Sequence, residues 1–200
     1  GVLGDLMRNS PTLRDALREA ALHLGLHDRG AVSLTLDFGD VRTALGYALF
    51  DTSMPAADQI LDAAIAIQYR LLRALCGPSW KPVSVLLSHK RPARTAPFDG
   101  YFRTRVEFDT EVSAVAFDRG WLDRGIPGAD PVKHLAILRA VASVAPREDL
   151  TLVEQVRRAI YVTTFSGSAT STNLAQFFGL HERTLRRRLA AEGATTRGLV

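Results

Sequence analysis

Two hundred residues, 46% hydrophobic and 23% charged, hold enough apolar material for one large core or two small ones. No apolar run reaches the roughly 18 residues of a membrane-spanning helix, and the opening GVLGDLMRNS lacks the basic-then-apolar order of a signal peptide. The single cysteine, Cys76, excludes an internal disulfide and fits a reducing cytoplasm. The net charge of +4 is local: residues 1–150 carry 18 Lys/Arg against 18 Asp/Glu, and residues 151–200 carry 7 Arg against 3 Glu. A local excess suits a phosphate-bearing partner, and its modest size argues against indiscriminate coating of one.

In chain order, the first predicted helix is 11–24. Ser10 stands as its cap and Pro11 in its first turn, with Leu13, Leu17, Ala20 and Leu24 as the apolar stripe and Arg14, Asp15, Arg18 and Glu19 toward water. Val32, Leu34, Leu36 and Phe38 alternate with polar residues as in a strand. Gly39-Asp40 reads as a two-residue hairpin turn, with a return strand over Thr43–Asp51 that is apolar on both faces and therefore central. A long helix spans 55–76, with Ile60, Ala64, Ile67, Leu71 and Leu75 at helical spacing and Gly77-Pro78 as its stop. Strands follow at Pro82–His89, Arg105–Phe108 and Val112–Phe117, with a loop over Arg91–Gly100. Asp130-Pro131 opens a helix to about Val144. The order indicates an α+β domain, helices on a small mixed sheet, over residues 1–146.

After the polar connector Pro146–Asp149 the strand signals stop. Leu152, Val156 and Ile160 mark a carrying helix, Ser166–Ser171 a small-residue loop, and STNLAQFFGLHERTLRRRL two short helices around a tight turn. Ala175, Gly179 and Leu185 supply the small crossing residue, the turn glycine and the apolar anchor of a helix-turn-helix, with Leu174, Phe178, Leu180 and Leu189 as further contacts. The fold class is thus α+β followed by an all-α helix-turn-helix segment over residues 150–200. Arg183, Arg186 and Arg187 fall on the face opposite Leu185 and Leu189, where guanidinium groups suit guanine O6/N7 or phosphate. Arg188 is nearer the edge and suits phosphate. Thr184 adds a backbone contact, and Glu182 either accepts from cytosine or stabilises the helix start.

Other chemistry-bearing residues are less pointed. His23 and His27 are four apart, but Gly25 lies between them and only Asp28 stands near as a third ligand, so a surface pair is expected rather than a metal site. His89 closes an apolar strand, facing a cavity or, as favoured here, hydrogen-bonded to a loop. Cys76 at a helix end is expected to be buried rather than reactive. There is no Gly-rich phosphate loop, G-x-S-x-G or H-E-x-x-H, so no enzyme, catalytic residue, metal or cofactor is expected.

The segment LAQFFGLHERTLRRRLAAEG resembles the first helix-turn-helix of AraC/XylS-type bacterial transcription regulators. Leu174, Ala175, Gly179, Arg183, Thr184, Leu185, Arg187, Arg188, Leu189 and Gly193 match that pattern, and Leu152–Ile160 resembles the helix that opens the DNA-binding domain. GVLGDLMRNSPTLRDALREA, PVSVLLSHKRP and AVAFDRGWLDRGIPGAD resemble the N-terminal "arabinose-binding" domain of the subgroup that includes ornithine-utilisation-type regulators; that label says nothing about a sugar. The resemblance implies a cytoplasmic regulator with an effector-sensing, dimerising domain and a two-motif reader of double-stranded DNA. Recognition falls to about 182–192, braced by Thr170–Phe178. His181 departs from the family's usual Ser, which caps better. The chain starts at Gly1 and stops at Val200, where the family's linker helix would begin, so half a reader and weak, salt-dependent DNA binding are expected. The alternative is a small-molecule-binding or interaction domain with a vestigial tail that binds no DNA. No effector-contacting residue is assigned from the sequence.

Overall fold

The computed structural model describes residues 1–24, 31–49, 54–144, 156 and 181–195. The chain divides into two compact units, Gly1–Val144 and Ala145–Val200.

The first unit begins with two helices, α1 (Val2–Arg8) and α2 (Leu13–His23). Thr12, not Ser10, caps α2: its Oγ1 accepts from the Asp15 amide at 3.2 Å. Ser10 is unavailable because its hydroxyl donates to the Leu6 carbonyl at the end of α1. Glu19 is also turned inward rather than toward water, and its carboxylate lies 3.3 Å from His23 Nε2.

Strands β1 (Ala31–Phe38) and β2 (Arg42–Leu49) form an antiparallel hairpin with Phe38 opposite Arg42, so the turn holds three residues, not two. Gly39 enters it at φ 69°, a conformation glycine adopts without a Cβ penalty. After α3 (Ala57–Cys76) come β3 (Ser84–Leu86), α4 (Ala96–Phe102), β4 (Arg105–Glu107) and β5 (Ser113–Asp118). The sheet order is β1-β2-β5-β3-β4; only β3 and β4 run parallel, so the sheet is mixed. β2 lies between β1 and β5, and Thr43, Ala44, Leu45 and Gly46 are buried, in line with a strand apolar on both faces. A helix, α4, forms within the stretch expected to be a loop, because Pro97 falls in its first turn, where the missing amide costs no helical bond. Residues 119–121 make one 3-10 turn, and α5 (Pro131–Val144) starts where Asp130 Oδ1 accepts from the amides of Val132 and Lys133 at 2.9 and 3.1 Å.

The core lies where α3 packs on β2 and β5. Leu61, Ile65, Tyr69, Leu72 and Leu75 form the inward face of α3. Trp80 and Phe117 are fully buried beneath it, their rings 6.1 Å apart. Of the stripe legible in the sequence, Leu75 belongs to this inward face, while Ile60, Ala64, Ile67 and Leu71 lie on a second one, where Ile67 is 66% exposed. The helix is apolar on two sides, and only one of them packs on the sheet.

Of the second unit, the described residues are Val156, which is buried, and 181–195, which contain α6 (Glu182–Ala191). Ala175, Gly179 and the first helix of the expected helix-turn-helix lie outside the described residues.

Candidate functional site

Two features have the character of sites, one in each unit. In the second, α6 is amphipathic in the way its sequence requires. Leu185 and Leu189, one turn apart, are fully buried, while Arg183, Arg186, Arg187 and Arg188 are exposed and Glu182 and Thr184 are half-buried. Arg186 pairs with Glu182 one turn back. Such an exposed i,i+4 pair contributes only about 0.3–0.5 kcal/mol. Among the described residues, Arg183, Arg187 and Arg188 have no carboxylate partner. His181 occupies the cap position with its side chain making no cap hydrogen bond, and its carbonyl accepts from the Thr184 and Leu185 amides at 2.8 and 3.0 Å.

In the first unit, the outer face of α3 looks onto a cavity of about 870 Å³. Its walls come from α1, α2, β1, β2, α3 and Val141 of α5. The strands and α3 form part of the wall, and the two N-terminal helices complete it. The lining is mainly aliphatic. Gln68 stands out: it is 7% exposed, on an otherwise apolar stretch of helix, with Nε2 3.0 Å from the Gly46 carbonyl oxygen. A lone amide at the spacing of buried neighbours Ile65 and Leu72 is the sequence signal that marks it.

A family model, the N-terminal arabinose-binding domain of AraC transcription regulators, matches residues 1–126. The chain belongs to this family. It is 26% identical over 205 residues to the HTH-type transcriptional regulator VirS of Mycobacterium tuberculosis, strains CDC 1551 / Oshkosh and ATCC 25618 / H37Rv, with 100% of this chain and 60% of VirS covered. The crystal structure of the transcriptional regulator CdpR from Pseudomonas aeruginosa matches with a TM-score of 0.62 at 21% identity, over 100% of this chain and 65% of CdpR. That second likeness is one of fold. The chain thus spans less than two thirds of the length of these bacterial relatives.

For an AraC-type chain, the remaining chemistry-bearing residues have structural settings. His89 Nε2 lies 2.8 Å from Asp62 Oδ1 on α3, and Nδ1 lies 2.9 Å from the Lys90 carbonyl oxygen, so the loop-bonded alternative describes it. The ring packs beside Phe98 and Phe108, whose own rings lie 5.4 Å apart. Burial disfavours the imidazolium most strongly, yet the Lys90 carbonyl, the Asp62 carboxylate and the charge of Asp58 together outweigh it and hold the pKa above the usual 6.5. Two acceptors at the two ring nitrogens require both to donate, which only the imidazolium does. Burial pushes the Cys76 thiol up to about 11, against a smaller opposing pull from the Arg124 charge. His27 lies outside the described residues, and His23 is engaged by Glu19. Among the described residues no three His, Cys, Asp or Glu side chains converge as a metal set, and no helix is long and apolar enough to cross a membrane.

Proposed function

We propose that the protein is a DNA-binding transcription regulator in which residues 1–146 sense a small molecule and α6 reads the major groove. Residues 150–200 would form the first helix-turn-helix of the reader, and the effector domain would mediate a homodimer. The observation that carries the reading is the division of α6: two leucines fully buried on one side, four arginines exposed on the other. A solvated basic helix needs no buried anchor, whereas a recognition helix is held by one so that its outer side chains meet base edges in fixed register. Glu182, Arg183, Thr184, Arg186, Arg187 and Arg188 are the proposed DNA contacts. The names of VirS and CdpR agree with this class of function. The comparisons lend no support to a vestigial tail.

Fluorescence anisotropy with duplex DNA from upstream of the protein's own gene tests the reading. Binding should weaken steeply with salt, with a log–log slope of roughly −0.9 per phosphate contacted. Arg187→Ala should cost about 1–3 kcal/mol and relax base preference if that guanidinium reads a guanine. A uniform loss over all sequences, with the slope reduced by about 1, would assign it to phosphate. Unchanged affinity in a variant with Arg183, Arg187 and Arg188 all replaced by alanine would overturn the assignment of α6.

A further inference from the structure

We propose that the first unit carries its own phosphate-binding surface for duplex DNA, built from Arg73, Lys81, Arg103, Arg105 and Arg124 where α3 and α4 end and β3 and β4 begin. The choice of DNA as the polyanion rests on reading α6 as a DNA reader; the surface itself rests on the first unit alone.

The fold gathers these five exposed side chains from separate places in the sequence. Ser84 stands opposite Arg105 in the parallel pair, and the Thr104 hydroxyl lies 3.4 and 3.2 Å from the carbonyl oxygens of Pro82 and Val83, so Lys81 and Arg103 approach the sheet from the same end. The ring of Trp80, next to Lys81, is 5.9 Å from Tyr69, and Tyr69 is 5.5 Å from Phe102, next to Arg103. Arg73 follows Tyr69 by one turn of α3, with its guanidinium 5.7 Å from the centre of that ring. Arg124 completes the set, because its charge acts on the thiol of Cys76, the last residue of α3.

The first 150 residues are neutral in sum, so the contrast between the two ends of this unit matters. At the far end, where His89 meets Asp62 and Asp109 bonds back to His89, the carboxylates of Asp58, Asp62, Asp109 and Glu111 accompany the cations of residues 90–94. At the near end, Glu107 pairs with Arg105 at 3.4 Å, and Asp123 is taken by Arg14 at 2.8 Å. Asp99 meets Arg103 through its backbone carbonyl, at 3.1 Å. Among the described residues, Arg73, Lys81, Arg103 and Arg124 have no carboxylate partner.

A merely solvated face leaves its cations mobile, whereas two of these are held against aromatic rings. Arg124 stacks 3.9 Å from the centre of Trp121, and Arg73 Nη1 lies 3.4 Å from the Tyr69 hydroxyl. Such support orders a guanidinium before its partner arrives, which suits bidentate contact with phosphate. Arg103 ends α4 in the left-handed region at φ 50°, where glycine is the usual residue, so this position carries a cation against its backbone preference. Helix dipoles account for Arg73 and Arg103, at the ends of α3 and α4. They do not account for Lys81, Arg105 and Arg124, which lie on no helix. A duplex presents a charge every ~1.7 Å of its axis, so separated cations each find one, whereas the carboxylates of a peptide would have to be placed individually. Because α6 brings DNA to this same chain, a second contact gains from the first by effective concentration.

Fluorescence anisotropy on the intact protein tests the surface, with a duplex from upstream of its own gene and a scrambled duplex of equal length, between about 50 and 200 mM salt. Lys81→Ser with Arg103→Gly removes two cations, and glycine keeps the left-handed turn. The log–log salt slope should become shallower by roughly 1.8, so that the variant loses about twelvefold less affinity than the parent over that range, equally on both duplexes. Lys90→Ser with Arg94→Ser, the same loss of charge at the far end, should leave the slope as it was. No change in the first double, or the same change in both, overturns the surface. Lys81→Arg with Arg103→Lys should keep the parent slope; a slope that falls here too overturns a contact made by charge. Poly-L-glutamate that binds the parent but not the first double, with duplex slopes unchanged, overturns DNA as the partner and assigns an acidic protein instead. The variant with Arg183, Arg187 and Arg188 replaced by alanine keeps the two readings apart. If it alone loses binding, α6 stands and this surface falls; if only the first double changes, the surface stands and the reading of α6 falls.

Discussion

The His89–Asp62 pair ties the chain after β3 to the N-terminal third of α3, and it should make the first unit less stable at alkaline pH. Both ring nitrogens lie within 2.9 Å of acceptors, and the ring packs against a pair of phenylalanines. The folded state therefore holds the imidazolium, with a pKa raised above 6.5. For a raised pKa, the stabilisation is fully present below the unfolded value of about 6.5 and disappears as pH climbs through the folded value. A hydrogen bond to a charged group contributes about 1.5–3 kcal/mol when well buried. Here the Asp62 side chain is 30% exposed, so solvent screening brings the expected figure to about 1–2 kcal/mol. That corresponds to roughly 2–8 °C in Tm for a chain of this size. Asp62→Asn keeps the shape and an acceptor but removes the charge. Thermal unfolding of both proteins at pH 5.5 and 8.5 isolates the effect as a double difference. The variant should be less stable at pH 5.5, and the deficit should shrink at pH 8.5, where the neutral ring has one N–H to donate and one bare nitrogen that can only accept. A deficit of equal size at both pH values, or none at pH 5.5, would refute the charged-ring account.

Three further outcomes follow from the packing. Phe117→Ala should cost about 3–5 kcal/mol in urea unfolding, because the ring is fully buried against Trp80 and the sheet cannot collapse around the void; a loss below about 1 kcal/mol would place Phe117 outside the core. Cys76, held at about 11, should react with iodoacetamide in the native protein roughly 100-fold more slowly than an ordinary thiol near neutral pH; a native rate equal to that in urea would contradict its burial. His181→Ser should stabilise α6 by about 1 kcal/mol, since the present cap side chain makes no hydrogen bond to the first turn; no change in the unfolding midpoint of the second unit would mean that its amides already have partners.

Most of the first unit's elements were legible because their signals are local. The alternation in 32–38, the glycine stop at Gly77 and the Asp130-Pro131 start each depend on neighbours within one turn. Where the reading slipped, a second interaction decided. Ser10 looks like a cap but belongs to the previous helix, a seven-residue element too short for periodicity to announce. Glu19 looks like a surface charge until His23 is folded against it. The α3 stripe of Ile60, Ala64, Ile67, Leu71 and Leu75 is apolar, yet it spans two faces, and periodicity cannot say whether an apolar face meets a sheet or a cavity. That distinction depends on α1 and α2, which are remote in sequence and close in space. Gln68 carries a local hint, a polar residue between buried ones, but its unmatched oxygen is visible only once Gly46 is placed beside it.

The charge distribution ties the two sites together. Residues 1–150 carry equal numbers of acidic and basic side chains, so the field of this chain comes from its last quarter, and the arginines of α6 are its densest part. Glu182 answers only one of them. An exposed pair of this kind contributes well under 1 kcal/mol, against about 1–3 kcal/mol for a bidentate guanine contact. DNA would therefore outcompete Glu182 for Arg186, and the pair is best understood as holding that side chain along the helix in the free protein. Neutrality in the first unit has its counterpart in the cavity, where no Arg or Lys lines the described wall. On the proposed reading, the chain's net positive charge stands with the DNA-reading segment.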